Sequence, residues 1–211
     1  MKKIYIYKRF ERFWHWTQAS LIIFLALTGF EVHGSIKVFG FEYAVFFHRT
    51  AAWMLMVLIV FAIFWHFVTG EWKQYIPTTR LLKEQILYYS KGMFKGEKHP
   101  SHKNELSKLN PLQRLVYLGF KIFLIPITLI SGLFYLFHKS FDANNIVVIK
   151  DISLDSIAMW HTLGAFLLMA FLVVHVYMTT TGKTPSSNIR AMINGYEEIE
   201  DEDKDEKQEN Q

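Results

Sequence analysis

The stretch SIAMWHTLGAFLLMAFLVVHVYMTTTG, from Ser156 to Gly182, decides the fold of this chain. A helix rises about 1.5 Å per residue, so a mainly apolar segment of about 20 residues or more is long enough to cross a bilayer. The segment carries two histidines, His161 and His175. Their spacing puts them about 21 Å apart along the helix axis and about 40° apart around it. One face of the helix therefore presents one imidazole near each membrane surface.

These two histidines need partners inside the membrane. Polar side chains in hydrocarbon are costly and usually face the interior of a helix bundle. Two stacked haems, each taking one axial imidazole from this helix, would accept both of them. Two hydrogen-bonded contacts between helices are the simpler alternative. The segment taken alone leaves both interpretations open.

The composition indicates one integral membrane domain. The chain has 211 residues, of which 51% are hydrophobic and 17% aromatic, and its charged residues are collected in a few blocks. Four long apolar runs predict an all-α fold, a four-helix bundle with membrane spans at about residues 13–32, 48–69, 112–137 and 156–182. The chain has no cysteine, which excludes covalently attached haem, iron–sulfur clusters and thiolate zinc sites.

The distribution of positive charge predicts the orientation. The segment from Thr69 to Arg114 holds nine Lys or Arg residues, whereas the other two connections between spans hold very few. The positive-inside rule then places this middle loop, residues 70–111, and both termini on the cytoplasmic side of a bacterial inner membrane. Within the loop, residues 79–89 have helical apolar spacing and predict an amphipathic helix, either interfacial or simply solvated.

The C-terminal end differs from the rest of the chain. Residues 1–190 form the predicted membrane domain, and residues 191–211 a predicted disordered acidic tail. The last 15 residues hold nine of the 19 acids, so the remaining chain carries 21 cations and 10 acids. This basic cytoplasmic face suits membrane phospholipids, and nucleic acid is not expected as a partner.

The predicted topology assigns a depth to six histidines. Three lie toward the cytoplasmic side and three toward the opposite side: His15, His66 and His175, then His33, His48 and His161. Neutral imidazole is a good iron ligand, and ligation by two histidines suits electron transfer better than oxygen binding. Matching depths pairs His48 with His161 at an outer site. At the inner site His175 could pair with His15 or His66, and the spacing favours His15 without deciding the choice.

The first helix carries a resemblance to a known family. The stretch RFERFWHWTQASLIIFLALTG, with Arg12-x-x-His15-Trp16, resembles the first helix of the bacterial di-haem cytochrome b subunits of nickel–iron hydrogenases, formate dehydrogenases and thiosulfate reductases. The HRTAAW motif that begins at His48 and the spacing of the two histidines in the last span are similar too. The resemblance implies a four-helix bundle with two haem b groups. The inner haem would be ligated by His15 and His175, and the outer haem by His48 and His161.

Other site residues are assigned by charge and position around these haems. Arg12 and Arg49 are candidates for binding haem propionates, unless they only mark the membrane edges. Lys121 could pair with a propionate or extend to the cytoplasmic headgroups. His66 lies outside the ligand pattern of the family. It is either a propionate or quinone-site partner or an ordinary interfacial histidine, and Glu71 is a second quinone-site candidate.

The predicted function is electron transfer through the membrane. We expect a di-haem cytochrome b that carries electrons between a quinone pool and a periplasmic or membrane-associated redox partner in a respiratory oxidoreductase complex. The resemblance implies a partner of the hydrogenase, formate dehydrogenase, thiosulfate reductase or multihaem cytochrome type. The alternative is a non-redox, histidine-rich membrane protein, such as a metal transporter or an assembly scaffold. Transporters usually show internal repeats and broken helices, and neither is clear in this sequence.

Overall fold

A computed structural model describes residues 2–97, 100, 108–143 and 152–199. The main helices are α1 (Arg9–Val32), α2 (Phe41–Thr69), α3 (Leu82–Leu87), α4 (Pro111–Gly119), α5 (Ile125–Ala143), α6 (Leu154–Thr179) and α7 (Ser187–Asn194). Two short strands, β1 (Lys2–Tyr5) and β2 (Tyr196–Ile199), complete the main elements. The described chain is therefore mostly helical, as predicted.

Within the described ranges, three helical stretches are long and apolar enough to cross a membrane: Phe41–Thr69, Pro111–His138 and Leu154–Thr179. They coincide with the second, third and fourth predicted spans. Helix α1 covers the first predicted span but is less apolar, because its first two turns include Arg9, Glu11 and Arg12. Large side chains such as Phe64 and Phe67 on α2 are about two-thirds exposed, at 66% and 68%. Such exposure suits helices that face lipid.

The chain divides into two compact units. Unit 1 contains residues 1–74, 99–110 and 178–211, and unit 2 contains residues 75–98 and 111–177. In unit 1, α1 packs against α2, and the connection between them is fixed by Glu31. The Glu31 carboxylate accepts hydrogen bonds of 2.7–3.0 Å from the backbone N–H groups of Val38, Phe39 and Gly40. It thereby pairs the N–H groups of the last two residues of the connection and of Gly40, the N-cap of α2.

The first and last described segments of the chain meet in unit 1. Strands β1 and β2 pair antiparallel, with Lys3 opposite Glu198 and Tyr5 opposite Tyr196. Between α7 and β2, Gly195 has φ +91°, and a Cβ there would lie 2.5 Å from the Tyr5 ring, so only glycine suits this turn. Both ends of the described chain therefore lie side by side.

Strand β2 lies inside the segment that the sequence assigns to a disordered tail. Residues 191–199 complete α7 and form β2, because cross-strand pairing with β1 gives this polar segment backbone partners. Residues 200–211, which hold most of the acidic block, lie outside the described part of the chain.

Unit 2 contains a long helical stretch with a local irregularity. A π-helical turn, Phe120–Leu124, joins α4 to α5 immediately before Pro126. Proline has no N–H for the preceding turn, and a widened turn is one way for a membrane helix to accommodate it. Between α5 and α6, a Cβ at Gly164 would lie 2.5 Å from Thr128 Oγ1. Gly164 therefore serves close helix packing.

The amphipathic segment predicted in the middle loop is helical only in part. Helix α3 is followed by a π-helical turn, Tyr88–Gly92, and a short 3₁₀ turn, Met93–Lys95. Leu81, which precedes α3, has φ +60°, an uncommon value for a leucine. Helix α3 therefore begins at Leu82, after this turn, whereas the predicted helix began at residue 79.

Candidate functional site

His48, on α2, lies against α1 in unit 1. Its Nδ1 is 3.1 Å from the Leu25 carbonyl oxygen and 3.1 Å from Thr28 Oγ1. A Cβ at Gly29 would lie 3.1 Å from His48 Cε1, so this position allows the imidazole to approach the helix closely. The His48 ring is thus held by one carbonyl, one hydroxyl and one glycine of α1.

His161, on α6, lies against α5 in unit 2. Its Nδ1 is 3.0 Å from the Thr128 carbonyl oxygen and 3.3 Å from Ser131 Oγ. A Cβ at Gly132 would lie 2.9 Å from His161 Cε1, a distance that real Cβ contacts essentially never show. His161 therefore has the same three kinds of contact as His48, supplied by a different helix.

His175 has a different environment. The Tyr117 hydroxyl oxygen is 3.3 Å from His175 Nδ1. The Phe171 ring stacks on the imidazole, with centroids 5.8 Å apart and planes 13° apart. An aromatic pair from α4 and α6 therefore orients this ring within unit 2.

His15 and His66 both lie in unit 1 and contact tryptophans. His15 is partly buried on α1, with its ring centroid 5.2 Å from that of Trp16. His66 is buried on α2, and its Nδ1 is 2.6 Å from the Ala62 carbonyl oxygen of its own helix. The Trp14 ring meets His66 edge-on, with centroids 5.4 Å apart. The orientation of the His66 ring is thus fixed by a carbonyl of its own helix and by aromatic contacts.

The donor set fits a haem iron. A histidine that ligates iron through Nε2 usually donates Nδ1–H to a carbonyl, a carboxylate or a water, which fixes the tautomer and the ring plane. His48 and His161 both have a backbone carbonyl at that position. A porphyrin supplies four nitrogens, so a haem needs only two protein ligands. In the described ranges no three His, Cys, Asp or Glu side chains cluster around a possible metal position.

Comparison with known proteins agrees with this chemistry. The sequence profile of the family described as prokaryotic cytochrome b561 matches residues 6–195. The chain belongs to this family. It is therefore a membrane haem b electron-transfer protein, and the expected relationship to bacterial cytochrome b membrane subunits is confirmed.

Curated relatives of this b561 chain include named cytochromes. The chain is 28% identical to the putative cytochrome YdhU of Escherichia coli, over 92% of its own length and 75% of that protein. It is 27% identical to a probable Ni/Fe-hydrogenase B-type cytochrome subunit of Rhizobium leguminosarum, covering 92% and 88% of the two chains. A probable Ni/Fe-hydrogenase 1 B-type cytochrome subunit of Escherichia coli is 25% identical over 91% and 89%. No solved structure matches the chain significantly.

The predicted ligand pairs of this cytochrome each draw on both units. His15 and His48 belong to unit 1, and His161 and His175 belong to unit 2. The structure describes how each imidazole is held inside its own unit. The pairing of His15 with His175, and of His48 with His161, stays a prediction.

The basic residues predicted for propionate binding have separate surroundings. The Arg12 Nη1 group donates a hydrogen bond to the Ile193 carbonyl oxygen, and Trp16 Nε1 donates to the Met192 carbonyl oxygen at 3.1 Å. Both donors satisfy carbonyls at the end of α7, where a helix leaves them unpaired. Arg12 thus joins the start of α1 to α7 in unit 1.

The other two predicted cations differ in exposure and contact. Arg49 is exposed on α2, next to His48. Lys121 Nζ lies 3.3 Å from the centroid of the Tyr75 ring, a cation–π contact within unit 2. Neither prediction for these two residues is tested by these contacts.

Glu71 belongs to an ionic cluster that was not predicted from the sequence. Lys108 Nζ lies 2.7 Å from Glu11 Oε1 and 3.0 Å from Glu71 Oε2, and Lys8 Nζ lies 2.7 Å from Glu71 Oε1. The side chains of Lys108, Glu11 and Glu71 are only 7%, 13% and 12% exposed. We call Lys8, Glu11, Glu71 and Lys108 the basal cluster. It links the start of α1, the turn after α2 and the end of the middle loop.

The basal cluster shifts the pKa of two of its members. Burial opposes ionisation of Glu71, but hydrogen bonds and charge from Lys8 and Lys108 outweigh it and hold the pKa of this carboxyl below its ordinary value. The hydrogen bond to Glu71 raises the pKa of the Lys8 ammonium. Both groups are therefore charged at neutral pH.

The residues that hold the histidines were not among those predicted from the sequence. Thr28 and Gly29 on α1, and Ser131 and Gly132 on α5, each follow one another in the chain. A hydroxyl residue followed by glycine inside an apolar span is the signal that could have indicated them. Tyr117 had no comparable signal, since an aromatic residue near a membrane surface is common.

Proposed function

We propose that this cytochrome is the di-haem membrane subunit of a respiratory oxidoreductase complex and that it passes electrons between a quinone pool and a redox partner. Bound haem b would supply the one-electron redox chemistry. The observation that carries the proposal is the matched environment of His48 and His161. Each presents Nδ1 to a backbone carbonyl, which leaves Nε2 to bind a metal.

In this proposal His48 and His161 ligate the outer haem, and His15 and His175 ligate the inner haem. The two α6 histidines are separated by 14 residues. This separation spans about 21 Å along a helix, which is most of the hydrocarbon thickness. Neither lipid nor apolar side chains carry electrons over such a distance, so the chain's contribution is to place two ligand pairs at two depths.

The proposed topology has four spans and both termini in the cytoplasm, with residues 1–190 forming the cytochrome domain in the inner membrane. Pairing of β1 with β2 supports an even number of crossings, since both ends then lie on one side. Among the described residues three helices meet the length and apolarity expected of a span, and α1 is the proposed fourth. The excess of Lys and Arg in the middle loop supports the cytoplasmic assignment.

We further propose that the redox partner is a catalytic subunit of the kind served by the relatives. The Rhizobium and Escherichia coli relatives are named as Ni/Fe-hydrogenase B-type cytochrome subunits, so a hydrogenase is the first partner to test. Formate dehydrogenase, thiosulfate reductase and multihaem cytochrome partners have the same requirement for a membrane electron carrier. The quinone would bind near the cytoplasmic end, with His66 and Glu71 as candidate contacts.

Haem quantitation of the purified chain tests the proposal. We expect a reduced-minus-oxidised spectrum of a b-type cytochrome and two protohaems per chain. His48→Ala and His161→Ala should each remove the outer haem, and His15→Ala and His175→Ala the inner one. His33→Ala is the matched control, because His33 Nδ1 lies 3.1 Å from Ser35 Oγ in the connection between α1 and α2, and it should retain both haems. Absence of haem from the wild-type protein would instead leave a non-redox membrane protein.

A further inference from the structure

The two outer histidines are held by the same local pattern on two different helices. On α1, the carbonyl of Leu25, the hydroxyl of Thr28 and the space at Gly29 surround His48. On α5, the carbonyl of Thr128, the hydroxyl of Ser131 and the space at Gly132 surround His161. In both helices the three positions are i, i+3 and i+4, which lie on one face. We call each set a hydroxyl–glycine seat.

The position of the hydroxyl protons determines what each seat offers to its imidazole. Thr28 Oγ1 lies 2.8 Å from the Phe24 carbonyl oxygen, and Ser131 Oγ lies 2.6 Å from the Ile127 carbonyl oxygen. A hydroxyl has one proton, and a carbonyl oxygen only accepts, so each hydroxyl donates to its own helix. What remains toward the histidine is a lone pair on the hydroxyl oxygen.

Both seats therefore present two acceptors to one ring nitrogen. His48 Nδ1 faces the Leu25 carbonyl oxygen and the Thr28 oxygen, and His161 Nδ1 faces the equivalent pair on α5. A nitrogen between two acceptors carries the hydrogen. Nε2 then holds the lone pair that a metal needs. The protein thus sets the ligating tautomer through its own hydrogen bonds.

At His175 the structure places a phenol hydroxyl near the ring. The Tyr117 hydroxyl oxygen lies 3.3 Å from His175 Nδ1, and a phenol can either donate or accept. We therefore confine the inference to the two outer histidines, whose seats define the tautomer.

We propose that Thr28 and Ser131 are positioning residues for the outer haem ligands, acting through His48 and His161. This inference rests on the proposed ligation by these two histidines. Each hydroxyl shares the Nδ1–H with a carbonyl, which fixes the ring plane and makes the imidazole a stronger electron donor. Loss of either hydroxyl weakens that donation, and the oxidised outer haem becomes less stabilised relative to the reduced one.

The test replaces each hydroxyl in the full-length chain and follows the two haems separately. Thr28→Val and Ser131→Ala remove the lone pair, whereas Thr28→Ser and Ser131→Thr retain it. Thr50→Val is the matched control, because the Thr50 hydroxyl donates to the Phe46 carbonyl at 2.8 Å on exposed helix surface. The readouts are haem content, the electron paramagnetic resonance signal of each ferric haem and each midpoint potential. The signal lost in His48→Ala identifies the outer haem.

We expect Thr28→Val and Ser131→Ala each to shift the outer haem signal and raise its midpoint potential, and the double variant to shift them further. The inner haem, the serine and threonine swaps and Thr50→Val should match the wild type. Two haems per chain with an unshifted outer haem in the double variant would overturn the positioning role and leave the proposed function intact. Equal shifts at both haems would also overturn it. A wild-type chain without haem would overturn both proposals.

Discussion

Removal of the Lys108 ammonium should destabilise the protein more than removal of any exposed lysine. Lys108 is 6% exposed and binds two carboxylates, Glu11 and Glu71, that are themselves nearly buried. In Lys108→Met the apolar stem is kept, so the change is mainly electrostatic. Glu71 retains Lys8 as a partner, whereas Glu11 loses the cation at its Oε1.

The magnitude follows from this burial. Removing one partner of a buried ion pair costs about 3–5 kcal/mol, because the remaining charge is left in a poorly solvated site. We expect the lower value, about 3 kcal/mol, since Glu71 keeps its second lysine. For a chain of this size about 1 kcal/mol corresponds to 2–4 °C, so the melting temperature should fall by roughly 6–12 °C.

The assay is thermal unfolding of the purified protein in detergent, with two comparisons. Lys3→Met removes a surface pair with Glu198, in which the side chains are 70% and 51% exposed, and should cost less than about 1 kcal/mol. The double variant Lys108→Met/Glu11→Gln also removes the Glu11 carboxylate that the single variant leaves without its lysine, and should recover part of the lost melting temperature. If Lys108→Met lowered the melting temperature no more than Lys3→Met, the basal cluster would not be an important source of stability.

Further predictions concern the basal cluster, the connection between α1 and α2, and the proposed ligands of the inner haem. Because the pKa of Glu71 lies below its ordinary 4.5, its stabilisation is complete above that value and is lost as the pH falls through the lower folded value. The raised pKa of Lys8 gives stabilisation that is complete below 10.5 and lost as the pH rises through the higher folded value. The melting temperature measured across pH should therefore fall at both the acidic and the alkaline end, and Glu71→Gln should make both decreases smaller. Glu31→Gln replaces an anionic acceptor of three backbone N–H groups and should lower the melting temperature in the same assay, whereas exposed Glu42→Gln should change it little. His66→Ala should retain both haems by haem quantitation, and loss of the inner haem would assign the ligand to His66 in place of His15.

The helices and the histidines could be predicted from the sequence because their signals are local. Apolar runs fix where a span lies, and the spacing of His161 and His175 on one helix fixes their relative depth. The hydroxyl–glycine seats could not be predicted, since each lies on a different helix from its histidine. Periodicity indicates that Thr28 and Ser131 share a helix face with a following glycine, but it does not identify the imidazole that faces them.

The ends of the spans were harder to predict than their centres. Helix α2 begins at Phe41, well before the predicted residue 48, because the Glu31 carboxylate supplies acceptors for the N–H groups that precede its first turn. The short sheet between the termini was missed for a similar reason. Strand β1 pairs with residues almost 200 positions away, and its four-residue sequence carries no strong signal for that partner.

The basal cluster also bears on the proposed role of Glu71 at a quinone site. A group that gives and takes a proton near neutral pH works best when its pKa lies close to that pH. Glu71 is held ionised by two lysines, so its pKa lies on the wrong side of its ordinary value for this task. Of the two proposed quinone-site residues, Glu71 therefore suits the anchoring of the loop that carries Lys108 better than it suits proton exchange.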